Sequence, residues 1–222
     1  MRIALIGHGK MGKMVEKVAL SRSIPIGVIF ERHDWKPQDL KDASVAIEFT
    51  NAQSVVDNIK KALSVGVPIV VGTTGWEKHL DEVKHLVDHF NGALLYAPNF
   101  SLGVHLYLKL IQQAYQLTSA FPQYHAAAYE MHHAQKLDAP SGTGKAMAKL
   151  FGGIEVYSIR VGEVAGTHTL VIDSPEETIT LTHQAKGREG FASGAISAAQ
   201  WLIGKKGIYT LDHLIDEVVC GK

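Results

Sequence analysis

Two hydrophobic periods run along the chain, and the place where one gives way to the other divides it. In the first hundred residues, short apolar runs of strand length alternate with stretches of helical spacing. RIALI (2–6), IPIGVIFE (24–31), SVAIEF (44–49), VPIVVG (67–72) and ALLYA (93–97) are the strand runs. KMVEKVALS after residue 12, NAQSVVDNIKKALSVG (51–66) and a stretch around 76–90 carry the helical pattern. The helix at 51–66 is expected to be capped near Asn51 and ended by Gly66. Repeated strand–helix units predict a Rossmann-like, doubly wound parallel sheet.

After about residue 101 the pattern changes. SLGVHLYLKLIQQAYQLTSAF (101–121) reads as one long helix. YHAAAYEM (124–131), IEVYSIRVGEV (154–164), THTLVID (167–173) and ETITLTHQA (177–185) then alternate at close spacing. They predict an open mixed or antiparallel sheet in a C-terminal α+β domain, which would bind substrate and mediate oligomerisation. EGFASGAISAAQWLIGK (189–205) has small residues at helical spacing and is assigned to this second domain. The expected domains are 1–101, joined by about 206–222, and 102–205.

Composition narrows the function. Twenty-two basic residues balance 22 acidic ones, so charge offers no argument for nucleic acid or a membrane surface. No run of ~18 apolar residues is present to span a bilayer. MRIALIG enters a strand without a leader pattern, and Cys220 is the one cysteine, so a cytoplasmic location is expected.

Candidate chemistry gathers in two places. Gly7-His8-Gly9-Lys10-Met11-Gly12 lies between the first strand and the first helix. There, glycines permit a tight turn and close approach of a pyrophosphate to the helix N-terminus. Glu31, at the end of the second strand, is placed to accept hydrogen bonds from ribose hydroxyls. Glu31 favours NADH, whereas Arg32 and Lys10 offer charge to a 2′-phosphate, so both NADH and NADPH are expected to be used. Gly72-Thr73-Thr74-Gly75 and Ala97-Pro98-Asn99-Phe100-Ser101 follow later strands and are candidate walls for the nicotinamide and its ribose.

The second place is YEMHHAQKLDAPSGTGKAM (129–147). A phosphate loop of the form Gly-x-x-x-x-Gly-Lys-Ser/Thr needs glycine and a hydroxyl where this chain has Ala139 and Ala146. A metal is not expected, since adjacent His132 and His133 point to opposite sides of an extended segment and Lys136 opposes a cation. A third reading fits better. Ser141 caps a helix, the N–H groups of Gly142 and Thr143 are left as donors, and His132, His133 and Lys136 add charge and exchangeable protons. Such a convergence suits a small dicarboxylate.

Glu130-x-His132-His133-x-x-Lys136-x-Asp138-Ala139-Pro140-Ser141-Gly142-Thr143 resembles the signature of the 4-hydroxy-tetrahydrodipicolinate (dihydrodipicolinate) reductase family. The glycine loop, Val45–Thr50, Gly72–Gly75, Ala97–Val104 and a block from His183 to Ala195 are similar to further family blocks, in family order. The resemblance implies an NAD(P)H-dependent reductase of diaminopimelate and lysine biosynthesis, commonly a homotetramer. It implies that His132 exchanges protons, that Lys136 donates one, and that His133, Ser141, Gly142 and Thr143 bind substrate. By the same resemblance Gly7, Gly9, Lys10, Met11, Gly12, Glu31, Arg32, Gly72, Thr73, Thr74, Ala97, Pro98, Asn99 and Phe100 line the cofactor site. Glu48 stands where the family has Asp, Gly144 where it has Ala, and the glycine loop is one residue tighter than in some members.

Overall fold

The computed structural model describes residues 1–31 and 34–221, without the Cys220 side chain. It contains two compact units, Met1–Ser101 with Glu189–Lys222, and Leu102–Arg188. No helix among the described residues is long and apolar enough to cross a membrane.

The first unit is built on β1 (Ile3–Ile6), α1 (Lys10–Ser21), β2 (Ile26–Phe30), β3 (Val45–Glu48), α2 (Val55–Ser64), β4 (Ile69–Val71), α3 (Leu80–His89) and β5 (Ala93–Tyr96). Its strands form one parallel sheet, in the order β2-β1-β3-β4-β5. Every residue of β1, β3 and β4 is buried. That explains why these runs are almost wholly apolar instead of alternating, since helices cover both faces of a parallel sheet. Strand order reverses between β1 and β3, which opens a crevice outside their carboxyl ends. Asn51 Oδ1 accepts from the N–H groups of Gln53 (3.0 Å) and Ser54 (3.1 Å), and this turn leads into α2. Gly66, at φ +73°, ends the segment.

The second unit carries α4 (Leu102–Thr118), β6 (His125–His132), α5 (Gly142–Leu150), β7 (Val156–Arg160), β8 (Thr167–Asp173) and β9 (Thr178–Gln184). The sheet is mixed, in the order β7-β6-β8-β9, with β6 and β7 parallel and the other pairs antiparallel. Tyr107 and Ile111 of α4 and Met147 of α5 pack against Ala128, Leu170 and Ile172 on one face. On β6 and β7 the other face leaves Tyr129, Tyr157 and Ile159 exposed.

The chain then returns to the first unit through α6 (Glu189–Leu202), β10 (Gly207–Tyr209) and α7 (Leu211–Cys220). β10 extends the first sheet beyond β5. The expected boundary near residue 205 is therefore corrected to residue 188, because α6 packs on β3, β4 and β5 and against α1. The buried residues of α6 are Ala192, Gly194, Ala195, Ala198 and Ala199, small enough to lie close on a sheet, with Ile196 and Leu202. Helical spacing shows that such a face must be buried, but not which sheet buries it.

Candidate active site

In the first unit, parallel strands bring every candidate cofactor loop to one edge of the sheet. The glycine loop follows β1, Glu31 follows β2, Gly72–Gly75 follows β4 and Ala97–Phe100 follows β5. Gly7 sits at φ +93°, and a Cβ there would lie 2.2 Å from the carbonyl oxygen of Phe49. A Cβ on Gly12 would lie 2.1 Å from the carbonyl oxygen of Gly7, so that glycine lets α1 close on the loop. By contrast, a Cβ on Gly9 would meet nothing within 4 Å, leaving the face of the loop open. No side chain caps α1 and its first turn holds no acid, so its N–H groups remain available to an anion. These features fit a dinucleotide's pyrophosphate. Lys10 is exposed and Met11 half-buried at this turn.

The loop residues divide by orientation. Thr74, Pro98 and Glu31 are exposed, while Ala97 and Phe100 are buried. Thr73 is tied inward: its Oγ1 accepts from Thr50 N–H at 2.8 Å, and its carbonyl accepts from Trp76 Nε1 at 2.8 Å. Asn99 Oδ1 accepts from Ser101 N–H at 2.8 Å. Arg32 lies outside the described residues. Below this edge Glu48 is fully buried. Burial pushes its carboxyl up, against hydrogen bonds from Thr50, Thr73 and Asn58 that pull it down.

In the second unit, register decides which polar residues meet. Glu130 of β6 stands opposite Ser158 of β7 and His168 of β8, and His168 stands opposite His183 of β9. Residues paired across strands share a face, so these four form one row across the sheet. Arg160 stands opposite His132 in the next row. Sequence reading singled out none of Ser158, Arg160, His168 or His183 as site residues, and gave Glu130 no role. The signal that finds them is a polar residue at an inward position of an alternating strand, where an apolar one is the rule.

Glu130 is the centre of this row and has no solvent exposure. Oε1 accepts from Arg160 Nη2 (2.9 Å), Ser158 Oγ (3.0 Å) and Ser141 N–H (2.9 Å). Oε2 accepts from Ser141 Oγ. Burial pushes the carboxyl up, but the hydrogen bonds from Ser141, Arg160 and Ser158 outweigh it and hold the group at about 2. A Cβ on Gly144 would lie 2.7 Å from Oε2. The glycine at this position therefore makes room for the carboxylate.

Through Glu130 the sheet holds the loop that leads into α5. Ser141 Oγ accepts from Gly144 N–H at 3.1 Å and caps α5. The N–H groups of Gly142 and Thr143 have no protein acceptor among the described residues, and a Cβ on Gly142 would meet nothing within 4 Å. Arg160 also donates to the carbonyls of Lys136 (3.3 Å) and Asp138 (2.7 Å). Lys136 Nζ donates to Asp138 Oδ1 at 2.7 Å, and that lysine holds the Asp138 carboxyl below its ordinary value.

His132 is 7% exposed on the inner face, and His133 is half-buried just past the strand. Burial lowers His132, Glu130 opposes that, and Lys136 and Arg160 add to it. The His132 and His168 rings meet edge to face at 5.0 Å. His168 is lowered to about 4, by burial first and then by His132. Glu130, His132 and His168 offer ligand atoms within 4.8 Å of one another. Both oxygens of that carboxylate already accept hydrogen bonds, Oε1 from Arg160 and Ser158 and Oε2 from Ser141.

A parallel nucleotide-binding sheet and a mixed sheet holding a histidine–lysine cluster define a two-unit Rossmann-type oxidoreductase. Two family models match, "Dihydrodipicolinate reductase, N-terminus" over residues 1–100 and "Dihydrodipicolinate reductase, C-terminus" over residues 103–215. The chain belongs to the dihydrodipicolinate reductase family. The 4-hydroxy-tetrahydrodipicolinate reductase of Christiangramia forsetii is 35% identical, across 98% of this chain and 99% of its own. The enzyme of that name from Archaeoglobus fulgidus is 31% identical, across 97% and 100%. The solved dipicolinate-bound dihydrodipicolinate reductase from Paenisporosarcina sp. TG-14 has the same fold, with a TM-score of 0.76 at 23% identity over 95% of this chain and 97% of that one.

Proposed function

We propose that the protein reduces 4-hydroxy-tetrahydrodipicolinate to tetrahydrodipicolinate with NADH or NADPH, in diaminopimelate and lysine biosynthesis. Whole-length similarity to reductases of that name supports the reaction. The observation that carries the chemistry is one loop, 133–141, which bears Lys136 and ends at the free N–H groups of Gly142 and Thr143.

Those two N–H groups and the Ser141 cap hold a substrate carboxylate at a helix N-terminus, with His133 as a further donor. Loss of the 4-hydroxyl as water leaves a C=C bond conjugated with the substrate's imine. Lys136 donates a proton to the imine nitrogen, which makes the far carbon of that conjugated system a better hydride acceptor. The enamine so formed takes a proton on carbon and gives one up from nitrogen to restore the imine. Asp138 restrains Lys136, with Nζ 2.7 Å from Oδ1, and must release it for the transfer. His132, lowered by burial against the opposing charge of Glu130, exchanges protons with the site. One hydride and one proton are consumed, and the 4-hydroxyl leaves as water. The bound nicotinamide supplies the hydride. Gly7, Gly9, Lys10, Met11 and Gly12 hold its pyrophosphate, Glu31 and Arg32 its adenosine ribose, and Gly72–Thr74 and Ala97–Phe100 its nicotinamide end.

The exposed sheet face bearing Tyr129, Tyr157 and Ile159 supports a homo-oligomer, read as a cytoplasmic homotetramer. Light scattering that finds a monomer would refute it. The reaction is tested by following NADH and NADPH oxidation with substrate generated from pyruvate and aspartate semialdehyde by the preceding synthase. Oxidation that requires the synthase supports the assignment. Cofactor binding without turnover would leave a nucleotide-binding protein of other function.

A further inference from the structure

The glycine loop carries a residue that the cofactor reading above leaves without a role. His8 lies between Gly7 and Gly9, with its side chain 15% exposed. Its Nε2 lies 2.7 Å from Glu16 Oε2 of α1, and its Nδ1 lies 3.2 Å from Glu31 Oε1. One ring thus joins the loop, the helix and the strand end that together form the adenosine-ribose corner of a dinucleotide fold.

The two contacts differ in kind. The shorter one is made to a carboxylate whose side chain is 31% exposed, the longer to one that is 73% exposed. Carboxylate oxygens only accept hydrogen bonds. A neutral ring, with a single N–H, therefore gives it to Glu16, and only a doubly protonated ring donates to both. Glu16 pins the ring, while Glu31 is free to swing into solvent. An NADH ribose donates its hydroxyls to Glu31 and leaves the bridge standing. An NADPH 2′-phosphate brings more negative charge to the same corner, where Glu31 repels it. Turning Glu31 outward exposes Nδ1, whose N–H in the doubly protonated ring then meets an acceptor richer in charge than the carboxylate it loses. Among the described residues His8 is the side chain hydrogen-bonded to Glu31.

We propose that His8 is a specificity-determining residue: pinned by Glu16, it exchanges Glu31 for the 2′-phosphate and so allows one site to use both NADH and NADPH. This rests on the cofactor assignment for the first unit, but not on the substrate assignment. The test is direct titration of each cofactor, without substrate, by calorimetry on the full-length protein, His8→Ala and His8→Arg. The expected result is a roughly tenfold or greater weakening of NADPH in His8→Ala, with NADH changed less than about threefold. His8→Arg restores NADPH, since guanidinium is a phosphate donor. Equal weakening of both cofactors, an unchanged ratio, or tighter NADPH would overturn the proposal. Retained NADH affinity shows that His8→Ala is folded. A wild-type chain that binds neither cofactor would remove the cofactor assignment itself, and this proposal with it.

Discussion

Glu130→Gln tests how the second unit holds the loop that leads into α5. The replacement keeps the shape and one acceptor oxygen but removes the charge. At an effective dielectric near 20, the attraction to Arg160 Nη2 at 2.9 Å is on the order of 5–6 kcal/mol before desolvation. Removing one partner of a buried pair costs about 3–5 kcal/mol net. The low end applies, because the Arg160 side chain is 19% exposed and keeps its bonds to the carbonyls of Lys136, Asp138 and Ile159. Linkage gives a similar figure. Depression of the carboxyl from 4.5 to about 2 corresponds to roughly 3 kcal/mol. Denaturant midpoints at neutral pH, with unchanged slope, are therefore expected to show a loss of about 3 kcal/mol. Because the folded value is depressed, this stabilisation is fully present above about 4.5 and lost as pH falls toward about 2. The gap between wild type and variant should narrow over that window. A loss below about 1 kcal/mol at pH 7, or a gap that stays constant as pH falls from 5, would refute an ionised Glu130 as the anchor.

Other outcomes follow from the same geometry. Lys136→Ala should lower kcat by about 10²–10⁴ while NADH affinity, measured by titration, stays unchanged; comparable loss of cofactor binding would refute its role as proton donor. His168 is depressed from 6.5 to about 4, so stability should be fully present above about 6.5 and fall as pH drops toward 4. His168→Gln should flatten that limb of the denaturation curve, and an unchanged limb would count against a buried neutral ring. Glu48 is raised by burial, so the stability of wild type relative to Glu48→Gln should decline as pH rises above its ordinary value of 4.5. At neutral pH that substitution should cost less than about 1 kcal/mol, and chemical denaturation would settle both points.

The sequence by itself determined the local units. Runs such as Ile3–Ile6 and Val45–Ile47 are apolar throughout because both their faces are covered, and that composition is visible without coordinates. The turn between β1 and α1 was legible for a similar reason at Gly12, which answers a contact with Gly7 a few residues earlier, whereas Gly7 itself is crowded by Phe49 of a distant segment. Ser141 as the cap of α5, and the unequal burial of His132 and His133, are likewise local. Tertiary structure alone decided what depends on pairing between distant segments. Glu130, Ser158, His168 and His183 form one row because four strands take a particular register, and a one-residue slip would send any of them to the opposite face. The first sheet, not the second, buries α6, a choice its small-residue spacing leaves open. His8 meets Glu16 and Glu31 because β1 and β2 pair in parallel beneath α1, bringing a loop, a helix and a strand end to one corner. Periodicity reports which face a residue takes; only the packed fold reports its partner.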